Sequence, residues 1–347
     1  MNKVPSSDIV EIKDVAREAG VSTATVDRVL HNRPGVRHVT MQRVKDTIER
    51  LGFQPHVAAA DLARGRRQRF CFVMPKTPNL FMADIVEQLG KLRRPLAARR
   101  VLLDVIETDV FDADTLADAL EGVGPRYDGV AVVALDHPRV KGVIDELIEN
   151  GVVVVTLVSD VPSSHRAHYV GIDNIAAGRT AGTLIGRFLS GREGKVAVVA
   201  GSLLLRDHAE RLFGVQQVIA SEYSRLTVLP SLEGRDDDAH NQAVVERLLA
   251  DHSDLVAIYN IGAGTAGIGA ALIEANRAHE VVFIGHDLTR QTRRLLIIGV
   301  MDAVLSQSPD LEAHSAIRVL QALSRKEPII AEQERIDINV ILRDNLP

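Results

Sequence analysis

The feature that most constrains the fold is a repeated alternation of short apolar runs with amphipathic helical patterns, from Phe70 to the C-terminus. The runs recur at intervals of about 25 to 30 residues, which is typical of parallel strands connected by helices. Two sets of about four strands predict two similar doubly wound lobes with a ligand cleft between them. The predicted strands are 70–74, 101–106, 129–135, 152–158, 195–200, 226–229, 255–261 and 281–285, with late strands near 304 and over 336–342.

Two short helical patterns precede this region and are separated by Gly20 and Val21. Apolar residues recur at i, i+3, i+4 and i+7 from Ile12, and the spacing repeats from Val26. Ser22 occupies the position of an N-cap for the second helix. The pattern is typical of a helix-turn-helix, whose second helix enters the major groove of DNA. The outward positions predicted to contact DNA are Thr23, Ala24, Asp27, Arg28 and His31.

A third amphipathic stripe runs over 41–51, and the segment 56–63 is helix-prone but too short to be stable alone. The fold class predicted from these patterns is a small all-α helix-turn-helix domain followed by an α/β core of two parallel-sheet lobes. The predicted domains are the headpiece 1–54, the hinge helix and linker 55–69, and the core 70–347. Within the core, the first lobe covers about 70–160 and 307–335, and the second about 161–306 with a C-terminal strand in 336–347.

The net charge of −5 hides an asymmetry along the chain. Residues 1–69 contain 13 Lys and Arg against 8 Asp and Glu, a balance of +5, which leaves −10 for the rest. Because nucleic-acid binding depends on neutralising phosphates, the basic segment is the expected site for a polyanion. A solvated basic tail is the alternative, and the helical apolar spacing among these charges argues against it.

One set of N-terminal residues forms a recognisable series: Ile12–Ser22, Thr25–Leu30, Val36, Leu51–Phe53, Pro55 and the Ala-rich segment to Leu62. This series resembles the headpiece and hinge of LacI/GalR-type repressors. The resemblance implies that hinge helices pair in a dimer on DNA and that Leu62 inserts into the minor groove of a near-palindromic operator. It also implies a core similar to periplasmic sugar-binding proteins, with three crossings between the lobes.

The sequence departs from that family at Asp27 and Arg37, where Ser is usual, and at His56, where Asn is usual. A carboxylate at Asp27 can accept from cytosine N4, which predicts an unusual operator half-site. Pairing of Asp27 with a neighbouring Arg is the alternative. Arg28 is predicted to bind guanine O6 and N7, with a phosphate-only contact as its alternative.

Polar side chains that suit a hydroxyl-rich ligand follow several of the predicted strands. By the resemblance, Arg211, Asn260, Asp287 and Gln307 match sugar-contacting positions, and the segment from Asn79 resembles a motif of ribose-binding proteins. The match near Asp160 is ambiguous by one residue. The predicted effector-binding residues are Asn79, Phe81, Asp160, Arg206, Arg211, Asn260, Asp287 and Gln307.

Each of these positions has a structural alternative. Asn260 and Asp287 suit helix capping at βα turns, Arg211 suits a helix surface, and Asp173 is predicted to cap the following helix rather than bind a ligand. The segment Gly262–Gly267 satisfies G-x-G-x-x-G after a strand, with Asp287 about 20 residues beyond. It supplies the alternative function: an NAD(H)-binding redox regulator or an oxidoreductase fused to a DNA-binding head.

The sequence contains none of the motifs that would indicate another class of enzyme: no G-x-S-x-G, H-E-x-x-H, P-loop or Cys/His metal spacing occurs. We therefore predict neither enzymatic activity nor a cofactor or metal. Cys71 lies in an apolar run and is predicted to be a buried, inert thiol. The first twenty residues hold no apolar run and no later stretch is long enough to span a bilayer, so a cytoplasmic location without membrane contact is expected.

Together these features predict a homodimeric transcription regulator, most consistent with a repressor, whose affinity for double-stranded operator DNA is set allosterically by a sugar or polyol, phosphorylated or not.

Overall fold

The computed structural model of the protein describes residues 10–30, 34–51, 67–76 and 78–347. The chain divides into two compact units, residues 1–66 and 67–347. His31, Leu62 and most of the predicted hinge 55–69 lie outside the described residues. Within the described part, every helix is too short or too polar to cross a lipid bilayer.

The N-terminal unit contains three helices: α1 (Ile12–Ala19), α2 (Thr23–Leu30) and α3 (His38–Leu51). Gly20 ends α1 in a left-handed conformation (φ 62°), which glycine adopts without steric cost. Ser22 starts α2, because the Thr25 N–H donates to Ser22 Oγ (3.2 Å). The apolar stripes meet in one small core, formed by Val15, Ala16, Ala19, Val26, Val29 and Val44, against which Val36 and Met41 pack. The helix-turn-helix predicted from the spacing is confirmed.

The first lobe of the second unit is built on a five-stranded parallel sheet in the order β2-β1-β3-β4-β5. Successive residues of β1 alternate between two cores: Phe70 and Phe72 pack on one face of the sheet, Cys71 and Val73 on the other. Its strands are β1 (Gln68–Pro75), β2 (Val101–Thr108), β3 (Gly129–Val132), β4 (Val153–Leu157) and β5 (His168–Val170); its helices are α4 (Leu80–Ala98), α5 (Ala113–Glu121) and α6 (Pro138–Glu149).

The second lobe has a seven-stranded sheet in the order β12-β11-β10-β9-β6-β7, with β8 also paired to β6. Its strands run parallel except β12, which is antiparallel to β11. The strands are β6 (Gly194–Ala200), β7 (Leu226–Val228), β8 (Leu232–Glu233), β9 (Leu255–Asn260), β10 (Val282–His286), β11 (Ala303–Ser306) and β12 (Asn339–Ile341). The helices are α7 (Asn174–Leu189), α8 (Arg206–Glu222), α9 (Asp238–Asp251), α10 (Thr265–Glu274) and α11 (Arg290–Ile297).

Three segments of chain cross between the lobes. The first joins β5 to α7, the second joins β11 to α12 (Pro309–Ser324), and the third joins α12 to β12. Helix α12 returns to the first lobe, where it packs on β3, β4 and α4. The predicted lobe boundary at residue 161 is wrong by about one strand, because β5 pairs with β4 in the first sheet and the chain leaves that lobe only after Val170.

Cys71 is fully buried in the sheet, as predicted. Burial raises the pKa of its thiol to about 11, which keeps the nucleophilic thiolate scarce at neutral pH.

Candidate functional site

Helix α2 presents a polar surface on the side away from its buried valines. Thr23, Ala24 and Arg28 are exposed on this surface, and Asp27 is half-buried. An exposed recognition helix of this kind fits the width of the DNA major groove. Four of the five residues predicted on α2 thus lie on its accessible side, and the fifth, His31, lies outside the described residues.

A cleft lies where strands of both lobes end, with about 460 Å³ of space between the atoms, open solvent included. Its walls come from the segments that follow β1, β2, β3 and β4 in the first lobe and β6, β8, β9, β10 and β11 in the second. This is the position expected for ligands in open parallel sheets. Five of the predicted residues line it: Asn79, Phe81, Arg211, Asp287 and Gln307.

Arg211 brings a positive charge into the cleft wall, although its side chain is only 2% exposed. Its Nε donates to Asn174 Oδ1 and its Nη1 to the Ile261 carbonyl, both at 2.9 Å. Asp207 Oδ2 lies 3.7 Å from Nη1. These neighbours fix the guanidinium, and its Nη2 is a buried donor without a hydrogen-bond partner among the residues that the structure describes.

A chain of hydrogen bonds continues from Arg211 to the first lobe crossing. Asn174 Nδ2 donates to Tyr169 Oη (3.0 Å). The single proton of the Tyr169 hydroxyl is shared between the carbonyls of Val158 (3.0 Å) and Ile172 (3.1 Å). Val158 lines the cleft with a left-handed backbone (φ 63°), which is rare for a β-branched residue. Such strain persists only where surrounding contacts hold it, and Tyr169 supplies one of them.

Asp207 and His208 line the cleft from the first turn of α8, and the sequence analysis missed both. Asp207 precedes Arg211 by four residues and therefore lies on the same face of the helix. Its Oδ1 is buried and has no hydrogen-bond partner within residues 10–30, 34–51, 67–76 and 78–347. The i,i+4 spacing of Asp207 and Arg211 in the sequence was the signal that could have predicted Asp207 as a cleft residue.

Asp287 and Gln307 complete the polar wall from the second lobe. Asp287 follows β10 with a left-handed backbone (φ 61°), and its Oδ1 is buried without a hydrogen-bond partner in the described part of the chain. Burial raises the pKa of the Asp287 carboxyl to about 7, against the opposing attraction of Arg211. Gln307 lies on the second crossing with its amide buried, and hydrogen bonding from Gln307 offsets part of the rise in the Asp287 pKa. Neither polar atom of that amide makes a well-aligned hydrogen bond to another described residue.

Asn79 connects the two lobes across the cleft. Its Oδ1 accepts from the Phe81 and Met82 N–H groups, which caps α4, and its Nδ2 donates to Asp236 Oδ2 (2.9 Å). Asp236 Oδ1 in turn accepts from the Ala263 N–H (2.8 Å). Asn79 therefore has both a capping and a cleft-lining role, whereas Asp236 was not predicted.

Three predicted effector residues do not line the cleft. Asp160 is paired with Arg166 beneath the surface, and the adjacent Ser159 lines the cleft instead. Arg206 pairs with Glu210 on its own helix. Asn260 is fully buried and braces its loop. Its Nδ2 donates to Ala263 O and Thr265 Oγ1, both at 3.0 Å. For each, a nearby protein partner satisfies the polar group.

Asp173 caps α7 as predicted, accepting from the Ala176 N–H at 2.9 Å.

A further carboxyl lies buried near this polar wall. Glu312 in the first turn of α12 has no exposed surface, and neither of its carboxylate oxygens has a hydrogen-bond partner among the described residues. Burial raises its pKa well above the usual range, and repulsion from Asp287 adds to the shift.

The glycine-rich segment Gly262–Gly267 has a packing role. A Cβ at Gly267 would lie 1.7 Å from the Asp238 carbonyl, so glycine permits the close contact of α10 with the start of α9. Asp236 Oδ1 accepts a hydrogen bond from the Ala263 N–H, and Asp238 Oδ1 accepts from the Ala266 and Gly267 N–H groups. A dinucleotide pyrophosphate requires such N–H groups to be accessible and is repelled by carboxylates, so the predicted NAD(H) alternative is not supported.

Comparisons with known families match both units. A model described as bacterial regulatory proteins of the lacI family matches residues 11–56, and one described as a periplasmic binding protein domain matches residues 70–328. Catabolite control protein A of Priestia megaterium is 26% identical over 327 residues, covering 92% of this chain and 94% of that protein. The sucrose operon repressor of Escherichia coli is 26% identical over 181 residues, covering 49% of this chain and 53% of that protein.

Solved structures share the fold of the second unit. A glucose-galactose binding protein from Geobacillus stearothermophilus superposes with a TM-score of 0.74 and 23% identity, covering 81% of this chain and 99% of that chain. A solute-binding protein from Burkholderia graminis, in complex with D-arabinose, gives a TM-score of 0.73 at the same identity, covering 80% of this chain and 96% of that one. The predicted periplasmic-binding-protein architecture is confirmed.

Proposed function

Because this chain belongs to the lacI family of bacterial regulatory proteins, with a periplasmic-binding-protein-type core, we propose that it is a transcriptional repressor controlled by a neutral sugar or polyol. The N-terminal unit binds operator DNA through α2. The cleft of the second unit binds the effector.

The set of unpartnered polar atoms in the cleft carries this proposal. Asp207 Oδ1 and Asp287 Oδ1 are buried acceptors, Arg211 Nη2 is a buried donor, and Gln307 offers both kinds of atom. Buried polar groups require partners, and a hydroxyl group can donate and accept at once. Adjacent hydroxyls of a sugar satisfy all of these atoms, and the rings of Phe81 and Phe111 give the cleft an apolar wall for the sugar ring.

The charge of the wall favours an effector without a phosphate group. Asp207, Asp236 and Asp287 bring carboxylates to the cleft, and Arg211 is already engaged with Asp207, Asn174 and Ile261. A phosphate would offer only acceptors to carboxylates that need donors, and it would be repelled by them. Of the two effector classes expected from the sequence, we therefore propose the unphosphorylated one.

On DNA we propose a homodimer on a near-palindromic operator, with Arg28 contacting a guanine and Asp27 setting half-site preference. Thr23, Ala24 and His31 complete this contact surface, and Leu62 inserts at the centre of the operator. Effector binding changes the relative arrangement of the two lobes in each subunit, and this change alters the affinity for the operator.

A thermal-shift screen tests the effector class. The wild-type chain is heated with each of a panel of neutral pentoses, hexoses and polyols, with their phosphates, and with NAD(H). We expect a neutral member to raise the melting temperature, whereas its phosphate and NAD(H) leave it unchanged. Arg211→Ala should abolish the shift. Arg318→Ala is the matched control, since Arg318 pairs with Glu334 outside the cleft wall.

Stabilisation by NAD(H) alone would overturn the sugar proposal in favour of a redox regulator. Stabilisation by phosphates alone would retain a regulator but contradict the charge argument. Equal responses of the Arg211→Ala and Arg318→Ala variants would place the binding site elsewhere.

A further inference from the structure

The end of the first lobe at which the chain arrives from the N-terminal unit carries a group of positive charges. Three segments meet there: the start of β1, the turn between α4 and β2, and the turn after α12. Gln68 joins them, because its N–H donates to the Arg100 carbonyl (3.0 Å), its Nε2 donates to Ser324 Oγ (2.6 Å) and its Oε1 accepts from Arg325 Nη2 (2.9 Å). The cations of these segments form the basic cluster: Arg67, Arg99, Arg100, Arg325 and Lys326.

Most charges of the basic cluster are accessible and lack a counter-charge. Arg67, Arg99 and Lys326 are exposed, and Arg100 is half-buried. Among the described residues, none forms an ion pair with any of these four side chains. The three segments contain a single acid, Glu327, which is half-buried.

The basic cluster contrasts with the remainder of the core. The chain after residue 69 has a net charge of −10, yet residues 91–100, at the end of α4 and before β2, contain five Lys and Arg and no Asp or Glu. The acids that end α5 and α6, Glu121 and Glu149, belong to the opposite face of the sheet, because those helices pack with Cys71 whereas α4 and α12 pack with Phe70. A local excess of positive charge is typical of a surface that binds a polyanion.

The covalent link to the N-terminal unit brings one polyanion within reach of this surface. Helix α3 ends at Leu51 and β1 starts at Gln68, so 16 residues join them. At about 3.3–3.6 Å per residue, this tether spans at most about 60 Å. DNA bound by the N-terminal unit is therefore confined near the basic cluster, at the high effective concentration that a short tether provides.

We infer that the basic cluster binds the phosphate backbone of DNA held by the N-terminal unit, so that the first lobe makes a second DNA contact that does not depend on base sequence. The inference rests on the DNA-binding part of the proposed function. Arg and Lys donate charge-assisted hydrogen bonds to phosphate oxygens, and each contact releases counterions from the DNA. Such contacts raise the affinity for every sequence and leave base readout to α2.

The salt dependence of DNA binding by the full chain tests this inference. The two ligands are an operator selected from random DNA and a scrambled duplex of the same composition, each of about 40 base pairs, which at about 3.4 Å per base pair exceeds twice the tether. Arg99→Gln combined with Lys326→Gln removes two exposed charges of the basic cluster. Arg187→Gln combined with Arg247→Gln is the matched control, because both residues are exposed on helices of the second lobe.

We expect the cluster variant to bind the operator and the scrambled duplex more weakly by the same factor, at least about tenfold at about 0.1 M salt. The slope of log affinity against log salt concentration should become shallower by about 1 for each lost phosphate contact. The control variant should stay within about twofold of the wild type and keep its slope. Neither variant should change the melting temperature, because the replaced side chains are exposed.

Equal slopes in the cluster and control variants would overturn the inference, whereas specific operator binding by the wild type would leave the proposed function intact. A lower melting temperature with unchanged slopes would show that the cations only stabilise the ends of α4 and α12, and would also overturn it. So would a loss of affinity for the operator alone, because a backbone contact must weaken both duplexes. If the wild type prefers no sequence but the slopes still differ, the proposed function fails and the inference stands.

Discussion

At the scale of single residues, the ionisation of Asp287 in the cleft wall opposes the fold. Burial raises its pKa to about 7, whereas an unfolded chain has the ordinary value near 3.8. Between these pH values the unfolded state loses its proton first. The stability of the free protein therefore falls as the pH rises from about 4 to 7, and this loss is complete above 7.

Replacing Asp287 with Asn removes this ionisation while keeping the shape of the side chain. We expect the variant to melt a few degrees higher than the wild type at pH 8 without effector, with little gain at pH 4. Sugar affinity of the wild type should rise between pH 6 and 8, because the carboxylate accepts from hydroxyls better than the acid does, and the variant should bind weakly at every pH. Melting curves and calorimetry across this range measure both effects, and a pH-independent difference in melting temperature would contradict the assignment.

Tyr169 links the strained Val158 to the anchor of Arg211, so its hydroxyl should matter to both stability and binding. Tyr169→Phe leaves Asn174 Nδ2 without its main acceptor, at a cost of about 1–3 kcal/mol in the free energy of unfolding. Effector affinity should fall as well, because Asn174 holds Arg211 Nε. Denaturant unfolding and calorimetry measure the two losses.

Tyr127→Phe is the control for this variant, since the Tyr127 hydroxyl donates to Asp104 (3.0 Å) outside the cleft wall. It should leave sugar affinity unchanged. Similar losses of affinity in the two tyrosine variants would show that the hydrogen-bond chain does not position Arg211.

At the scale of secondary-structure elements, close packing of α7 against α8 positions the polar wall. A Cβ at Gly178 on α7 would lie 2.1 Å from the Arg211 carbonyl, and one at Gly214 on α8 would lie 2.3 Å from the Ile175 carbonyl. Glycine at these crossing points lets the backbones touch. The segment that bears Asp207 and Arg211 is thereby held against the first residues of α7.

Gly178→Ala should therefore force the two helices apart. We expect a loss of about 1–3 kcal/mol in stability, with weakened effector binding because the displaced backbone is that of Arg211. Gly90→Ala on α4 is the matched control: a Cβ there has no neighbour within 4 Å, so alanine should stabilise the helix by about 0.5–1 kcal/mol. Unchanged sugar affinity in Gly178→Ala would show that the helix spacing does not set the site.

The same scale shows how far sequence reasoning reaches. The periodicity of apolar residues predicted the strands and helices, because the buried face of an element requires apolar side chains at the spacing of that element. The residues of β1, which alternate between two cores, are an example. It missed β5, a three-residue strand whose pairing with β4 depends on tertiary contacts. Position after a strand identified Asn79, Arg211 and Asp287. It does not reveal whether a side chain turns toward the cleft or, like Asn260, toward its own loop.

At the scale of the whole molecule, the cleft is joined to the lobe crossings. Gln307 lies on the second crossing, and the chain from Arg211 through Asn174 and Tyr169 ends at the first. Asn79 and Asp236 connect the opposite walls directly. An effector that binds these residues makes different contacts in each arrangement of the two lobes. Such a difference is the condition for a ligand to shift the population from one arrangement to another.

Such coupling is reciprocal, and this makes the proposed regulation measurable from either end. If the sugar changes operator affinity by a given factor, the operator must change sugar affinity by the same factor, typically about 5- to 150-fold. We expect this equality with an operator selected from random DNA, titrated with and without saturating sugar. Arg211→Ala should keep operator affinity and lose the response, whereas Leu62→Ala should weaken operator binding and leave sugar affinity of the free protein unchanged. If operator affinity is the same with and without saturating sugar, the regulatory role is refuted, even if both ligands bind.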